Sequence, residues 1–183
     1  YEGAALGAGL ANLGDLNLDG FDDYGIARGL ENATNAVGGL FLMYGSDQLG
    51  RSTALVQPTE ISLAARTIIA QLGQGQFGTT SLVGALQATA GDFNGDGKMD
   101  LAIGQPSIEQ RNQANVAIDQ QQAGALYYFF GVDERSSSLQ LSNADLVISG
   151  ESEFDQLGSL PLSPSIDLNG DGADDLLVAA PQA

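Results

Sequence analysis

A nine-residue acidic pattern occurs three times in this chain. Asp15, Asn17, Asp19, Gly20 and Asp23 form the first copy. Asp92, Asn94, Asp96, Gly97 and Asp100 form the second, and Asp167, Asn169, Asp171, Gly172 and Asp175 the third. Each reads D-x-N-x-D-G-x-x-D and runs straight into an apolar stretch. Oxygen-bearing side chains at positions 1, 3 and 5 can converge when the backbone curls around one centre, and the glycine at position 6 permits the turn. Such a loop suits a hard cation such as Ca2+, which takes six to eight oxygens at roughly 2.3–2.6 Å. The alternative is a plain hairpin turn, where Asn, Asp and Gly are common anyway. That alternative explains one Asp-Gly, but not four oxygen side chains at fixed offsets in three copies.

An EF-hand opens in the same way but needs a glutamate at position 12 and a helix after it. Position 12 here is Ile26, Ile103 and Val178. The acid comes at position 9 instead, at the foot of an apolar run. The expected ligands are therefore the side chains at positions 1, 3, 5 and 9, joined by the position 7 carbonyls of Phe21, Lys98 and Ala173. Three Ca2+ sites result, with Asp22 and Asp174 at position 8 expected to point outward. Their role is expected to be structural, holding each loop closed.

The loops open at Asp15, Asp92 and Asp167, at nearly equal intervals, and more than the loops repeats. Gly38–Gly45 (GGLFLMYG) matches Gly124–Gly131 (GALYYFFG), and Ala65–Ala70 (ARTIIA) matches Ala144–Ser149 (ADLVIS). Gln76-Phe77-Gly78 matches Gln156-Leu157-Gly158. Short runs rich in Val, Ile, Leu, Phe and Tyr, bounded by Gly, Asn, Asp, Ser and Pro, read as strands. Ten are expected, near 4–11, 22–28, 38–45, 65–71, 82–90, 99–104, 124–131, 144–149, 160–166 and 175–180. Thr59–Leu72 could start as a helix, but its second half matches a strand-like segment and reads as strand. The aromatic run Tyr127–Phe130 reads as a strand buried on both faces. The fold class is all-β: propeller-type blades of four antiparallel strands, about two and a half of them. The repeats span 1–75, 76–155 and a partial 156–183.

These residues resemble the FG-GAP repeat of integrin alpha-subunit β-propellers and their bacterial relatives. Phe77-Gly78, the second loop and Gly104-Gln105-Pro106 make the best copy, and Leu157-Gly158, the third loop and Ala179-Ala180-Pro181 the next. In the first, Leu6-Gly7 and Ala27-Arg28-Gly29 stand in the corresponding places. Rings of that family close with about seven blades. The resemblance therefore implies an excerpt of a longer chain, or an assembly in which copies complete the ring, even a filament subunit.

Composition narrows the function. The 183 residues carry 23 acidic and 6 basic side chains, a net charge of −17, and 11 of the acids lie in the loops. Three bound Ca2+ would bring the charge to −11. Nucleic acid demands a basic footprint that is missing here. Without histidine or cysteine, His-based triads and the usual zinc sites cannot be built, and there are no disulfides. No apolar run is long enough for a membrane span, and the first residues do not read as a signal peptide. Weak calcium loops suit extracellular fluid, so an exported or cell-surface protein is expected.

The expected function is non-enzymatic: adhesion, recognition or surface assembly, with a protein or glycan partner or copies of the chain itself. Glu31, Glu109, Glu151 and Glu153 form no catalytic motif, leaving the non-catalytic propeller part of a secreted hydrolase or lyase as the enzyme-linked alternative. Asn32-Ala33-Thr34 fits the N-glycosylation pattern. Gln105–Gln122 reads as a polar surface insertion.

Overall fold

Short apolar runs joined through tight acidic turns pair with their sequence neighbours. In the computed structural model, which describes residues 6–28, 39–45, 66–69, 87–105, 123–132, 138–159 and 166–183, they form two sheets. The first is an antiparallel meander of β1 (Leu6–Gly14), β2 (Asp23–Arg28), β3 (Gly39–Met43) and β4 (Arg66–Ile69). The second repeats it with β5 (Gln87–Gly91), β6 (Asp100–Gln105), β7 (Ala125–Phe129) and, as its fourth strand, β9 (Leu146–Ser149). The strands from the matched segments, β4 and β9, thus occupy the same fourth place in the two sheets. Among the described residues there is no α-helix, and no helix long and apolar enough to cross a membrane.

Two features depart from the sequence reading. Between β7 and β9, the short strand β8 (Ser138–Gln140) crosses to the first sheet and pairs in parallel with β4. It covers an edge that would otherwise offer unpaired backbone groups. Three residues of weak pattern, SLQ, carry no strand signal of their own. The expected strand over 175–180 is reduced to one bridge, Ile166 with Asp175. Beyond it, no ladder forms along 176–180 among the described residues, and an extended segment without a ladder is not a strand. The first half of Thr59–Leu72, Asn32, Gln76-Phe77-Gly78 and residues 106–122 lie outside the described residues.

The inner strands β6 and β7 of the second sheet are buried on both faces, whereas its edge strand β9 is exposed. Leu101, Ile103 and Phe129 point into a cluster with Leu13, Leu16, Leu40 and Leu42 of the first repeat. Ala102, Leu126 and Tyr128 point the other way, where Leu176 and Val178 of the third repeat cover them. Cross-strand register sets this alternation: Leu101 faces Phe129 and Ile103 faces Tyr127 on one side, while the small Ala102 makes room for Tyr128 on the other. The aromatic run is therefore a core strand. Fully burying a side chain such as Phe129 or Leu101 contributes about 1.5–3 kcal/mol.

Backbones meet where the second and third repeats join. A Cβ on Gly104 would sit 2.7 Å from the carbonyl oxygen of Gly158, so only glycine fits there. The Gly158 amide donates to the Ala179 carbonyl at 3.0 Å, and the Leu157 amide to that of Ala123 at 3.0 Å. Leu157-Gly158 and Ala179-Ala180-Pro181, far apart in sequence, are thereby tied together. Gln105, at the start of the expected surface insertion, is instead buried at the end of β6.

Candidate metal centres

Each acidic loop joins the first two strands of its repeat, or the bridge that stands for them in the third. The loop side chains fold inward and are held by the loop's own amides. In the first loop the Asp15 carboxylate accepts the amides of Asp19 (2.9 Å) and Gly20 (2.8 Å). Asn17 Oδ1 also accepts the Asp19 amide, at 3.1 Å, and Asp19 Oδ1 accepts that of Phe21, at 3.0 Å. The second loop repeats this with Asp92 accepting from Asp96 and Gly97, Asn94 from Asp96, and Asp96 from Lys98, at 2.8–3.0 Å. In the third loop Asp167 accepts from Asp171 and Gly172, Asn169 from Asp171, and Asp171 from Ala173. Three segments far apart in the chain thus adopt one geometry.

Asparagine at position 3 has a clear role in that geometry. Its Nδ2 donates to the position 5 carboxylate in every loop, at 3.0–3.1 Å. A third carboxylate there would only add repulsion. Among the described residues, no group of three or more acidic side chains is gathered tightly enough to hold an ion by carboxylates alone. The donor set is mixed: two carboxylates and an amide oxygen line each loop, with a third carboxylate at position 9 and a backbone carbonyl at position 7. All are hard oxygens, and each carboxylate keeps lone pairs beyond those used by the amides. This set fits Ca2+ and offers nothing to a soft metal.

Position 9 does more than the sequence suggested. Asp23 and Asp100 are fully buried. One oxygen of each accepts the position 2 amide across the loop, Leu16 or Phe93, at 2.9 Å. The other accepts the closing glycine of the aromatic strand, Gly45 at 2.7 Å or Gly131 at 2.8 Å. One carboxylate therefore ties the loop to the third strand of its own blade. Among the described residues Asp175 makes the first of these bonds alone, to Leu168 at 2.9 Å. Burial pushes the carboxyls of Asp23 and Asp100 above the ordinary value, against the pull of those amides. The exposed Asp167 lies below it, chiefly through the Gly172 amide. The spacing pattern placed position 9 among the ligands. The buried staple becomes visible only with the sheet, although the recurrence of that Asp together with a strand-closing glycine hinted at it.

Backbone conformation distinguishes the first loop from the others. Position 4 is left-handed in all three: Gly95 (φ 71°), Gly170 (φ 78°) and Leu18 (φ 58°). For a side-chain-bearing residue that region costs roughly 1–2 kcal/mol. Leu18 is largely exposed and so gains little from packing. Leu18→Gly is expected to stabilise the protein by about 0.5–1 kcal/mol, the strain relieved less the extra chain entropy of glycine. Urea unfolding of the two forms would measure it. An unchanged or lower midpoint would show that the strain is not felt.

Position 8 corrects the sequence reading in one place. Asp22 is exposed, as expected. Asp174 is not directed into solvent: its Oδ2 accepts the amide of Asp92, in the second loop, at 2.8 Å. The exposed Glu151 and Glu153 lie outside all three loops.

A repeated four-stranded antiparallel unit is the architecture of a propeller blade, and sequence comparison agrees. The sequence model of the FG-GAP repeat family matches residues 85–129 and 162–183. The chain thus carries segments that match the FG-GAP repeat, and it is similar in sequence to an integrin alpha subunit. It is 35% identical to mouse integrin alpha-IIb over 91 residues, 49% of this chain and 8% of that protein. It is also similar to phosphatidylinositol-glycan-specific phospholipase D, at 31% identity over 174 residues for the human protein and 32% over 172 for the bovine one. Those alignments take in 92% of this chain but span only 18% of the length of these relatives.

Proposed function

We propose that this chain is a calcium-stabilised propeller module of an extracellular or cell-surface protein, serving recognition or adhesion rather than catalysis. The observation that carries the reading is the recurrence of one oxygen-lined loop geometry at residues 15–23, 92–100 and 167–175. Four hard oxygen side chains at the same offsets in three loops, each with lone pairs beyond those used by the loop amides, suit a cation such as Ca2+. The ligands in each loop are the side chains at positions 1, 3, 5 and 9 with the carbonyl of position 7, and the ion neutralises carboxylates that would otherwise repel. It closes the loop, fixes the two strands leaving it, and so stiffens the blade that displays a protein or glycan partner's binding face. Calorimetric titration with CaCl2 is expected to count three equivalents. Fewer than one would overturn the reading.

A second reading has a specific observation in its favour. The similarity to the phospholipase D relatives runs through nearly the whole chain. It supports a non-catalytic propeller part of a secreted hydrolase, with the chemistry performed elsewhere in the longer protein. The calcium loops would have the same structural task in either setting.

A further inference from the structure

The second and third loops touch. The Asp174 carboxylate accepts the Asp92 amide at 2.8 Å, and the Asp174 amide donates to the Asp92 carbonyl at 2.7 Å. Beside this exchange, the Cβ of Ala173 lies 3.4 Å from where a Cβ on Gly95 would stand. Residues 173 and 174 sit between the position 5 and position 9 side chains of the third loop. Asp174 holds Asp92, position 1 of the second loop, by both its backbone polar groups. Asp92 is in turn the residue whose carboxylate gathers the amides of Asp96 and Gly97. Toward the first loop the arrangement differs: position 8 of the second loop is Met99, which packs against the hydrophobic core.

We propose that Asp174 is a positioning residue that makes cation binding in the second and third loops cooperative. This rests on the calcium reading above. Closing the third loop around its ion seats residues 173 and 174, which holds the Asp92 backbone and so presents its carboxylate to the second ion. Opening the third loop withdraws an acceptor from a half-buried amide and loosens Asp92 at the first ligand position. Two neighbouring divalent ions repel, which alone would make the sites weaken each other; the direct hydrogen-bonded contact opposes this at shorter range. Coupling between sites is reciprocal, so the second ion favours the third equally.

The test is a CaCl2 titration of the full chain followed by amide NMR, with Gly20, Gly97 and Gly172 reporting the three loops separately. Disabling the third loop by Asp171→Ala is expected to weaken the Gly97 response about fivefold or more and leave the Gly20 response unchanged. In an Asp174→Ala background the same substitution should leave the Gly97 midpoint where it is. Asp174→Asn, which keeps an acceptor oxygen for the Asp92 amide, should retain the coupling. A Gly97 midpoint insensitive to Asp171→Ala, or equally sensitive with and without Asp174, would overturn the proposal while leaving calcium binding intact. No calcium-dependent shift at any of the three glycines would instead overturn the calcium reading, and the coupling with it.

Discussion

Chelating calcium is expected to lower the melting temperature of this protein by about 8–16 °C relative to about 1 mM CaCl2. An ion that binds only the folded state stabilises it by RT ln(1 + [Ca]/Kd). With Kd on the order of 10⁻⁴ M, as in extracellular modules, one site contributes about 1.4 kcal/mol and three about 4 kcal/mol. In a chain of this size each kcal/mol moves the midpoint by roughly 2–4 °C. The direction follows from charge as well as from mass action, because 11 of the 23 acids lie in the loops of a chain with net charge −17. Thermal melts in chelator and in calcium are the measurement. Coincident curves would remove calcium from any structural role.

The second large effect separates ligand from staple. Asp100→Ala is expected to strand the amides of Phe93 and Gly131 in a half-buried place, with or without calcium. A fully buried stranded donor costs about 1–3 kcal/mol, so with two half-buried ones the variant should lose about 2–4 kcal/mol even in chelator. Asp96→Ala, at an exposed position of the same loop, should instead lose only its share of the calcium-dependent shift and melt near the parent in chelator. Phe93 also packs edge-on against Tyr128, with ring centroids 5.5 Å apart. A loop released by Asp100→Ala therefore disturbs the β7 side of the sheet as well. Equal behaviour of the two variants in chelator would show that position 9 acts through the ion alone.

The loop pattern was legible in the sequence because it is local. A cage built from successive residues needs its side chains at fixed offsets and a glycine at the left-handed position 6, so spacing carries the whole specification. The blade was legible for a related reason: apart from β8, each strand of a sheet pairs with the next of that sheet along the chain, and the second copy of the repeat settles what a single copy would leave ambiguous. Tyr127–Phe130 could be assigned to a buried strand because a run apolar at every position must be covered on both faces.

Contacts between repeats were not legible. Nothing in SLQ distinguishes β8 from a turn, since its place comes from an open edge on β4, in the preceding repeat. Leu176–Ala180 has the composition of a strand, but among the described residues no ladder forms along it. Asp22 and Asp174 occupy the same position in the same motif, yet one is exposed and the other grips the next loop. By itself the sequence determined the three acidic loops, the strand-forming runs and their order, all set by short-range geometry. Tertiary structure alone decided that Asp23 and Asp100 clamp a strand end and that Asp174 reaches Asp92. Those roles depend on which backbone amide lies within about 3 Å, and that distance is set by how one blade packs on the next.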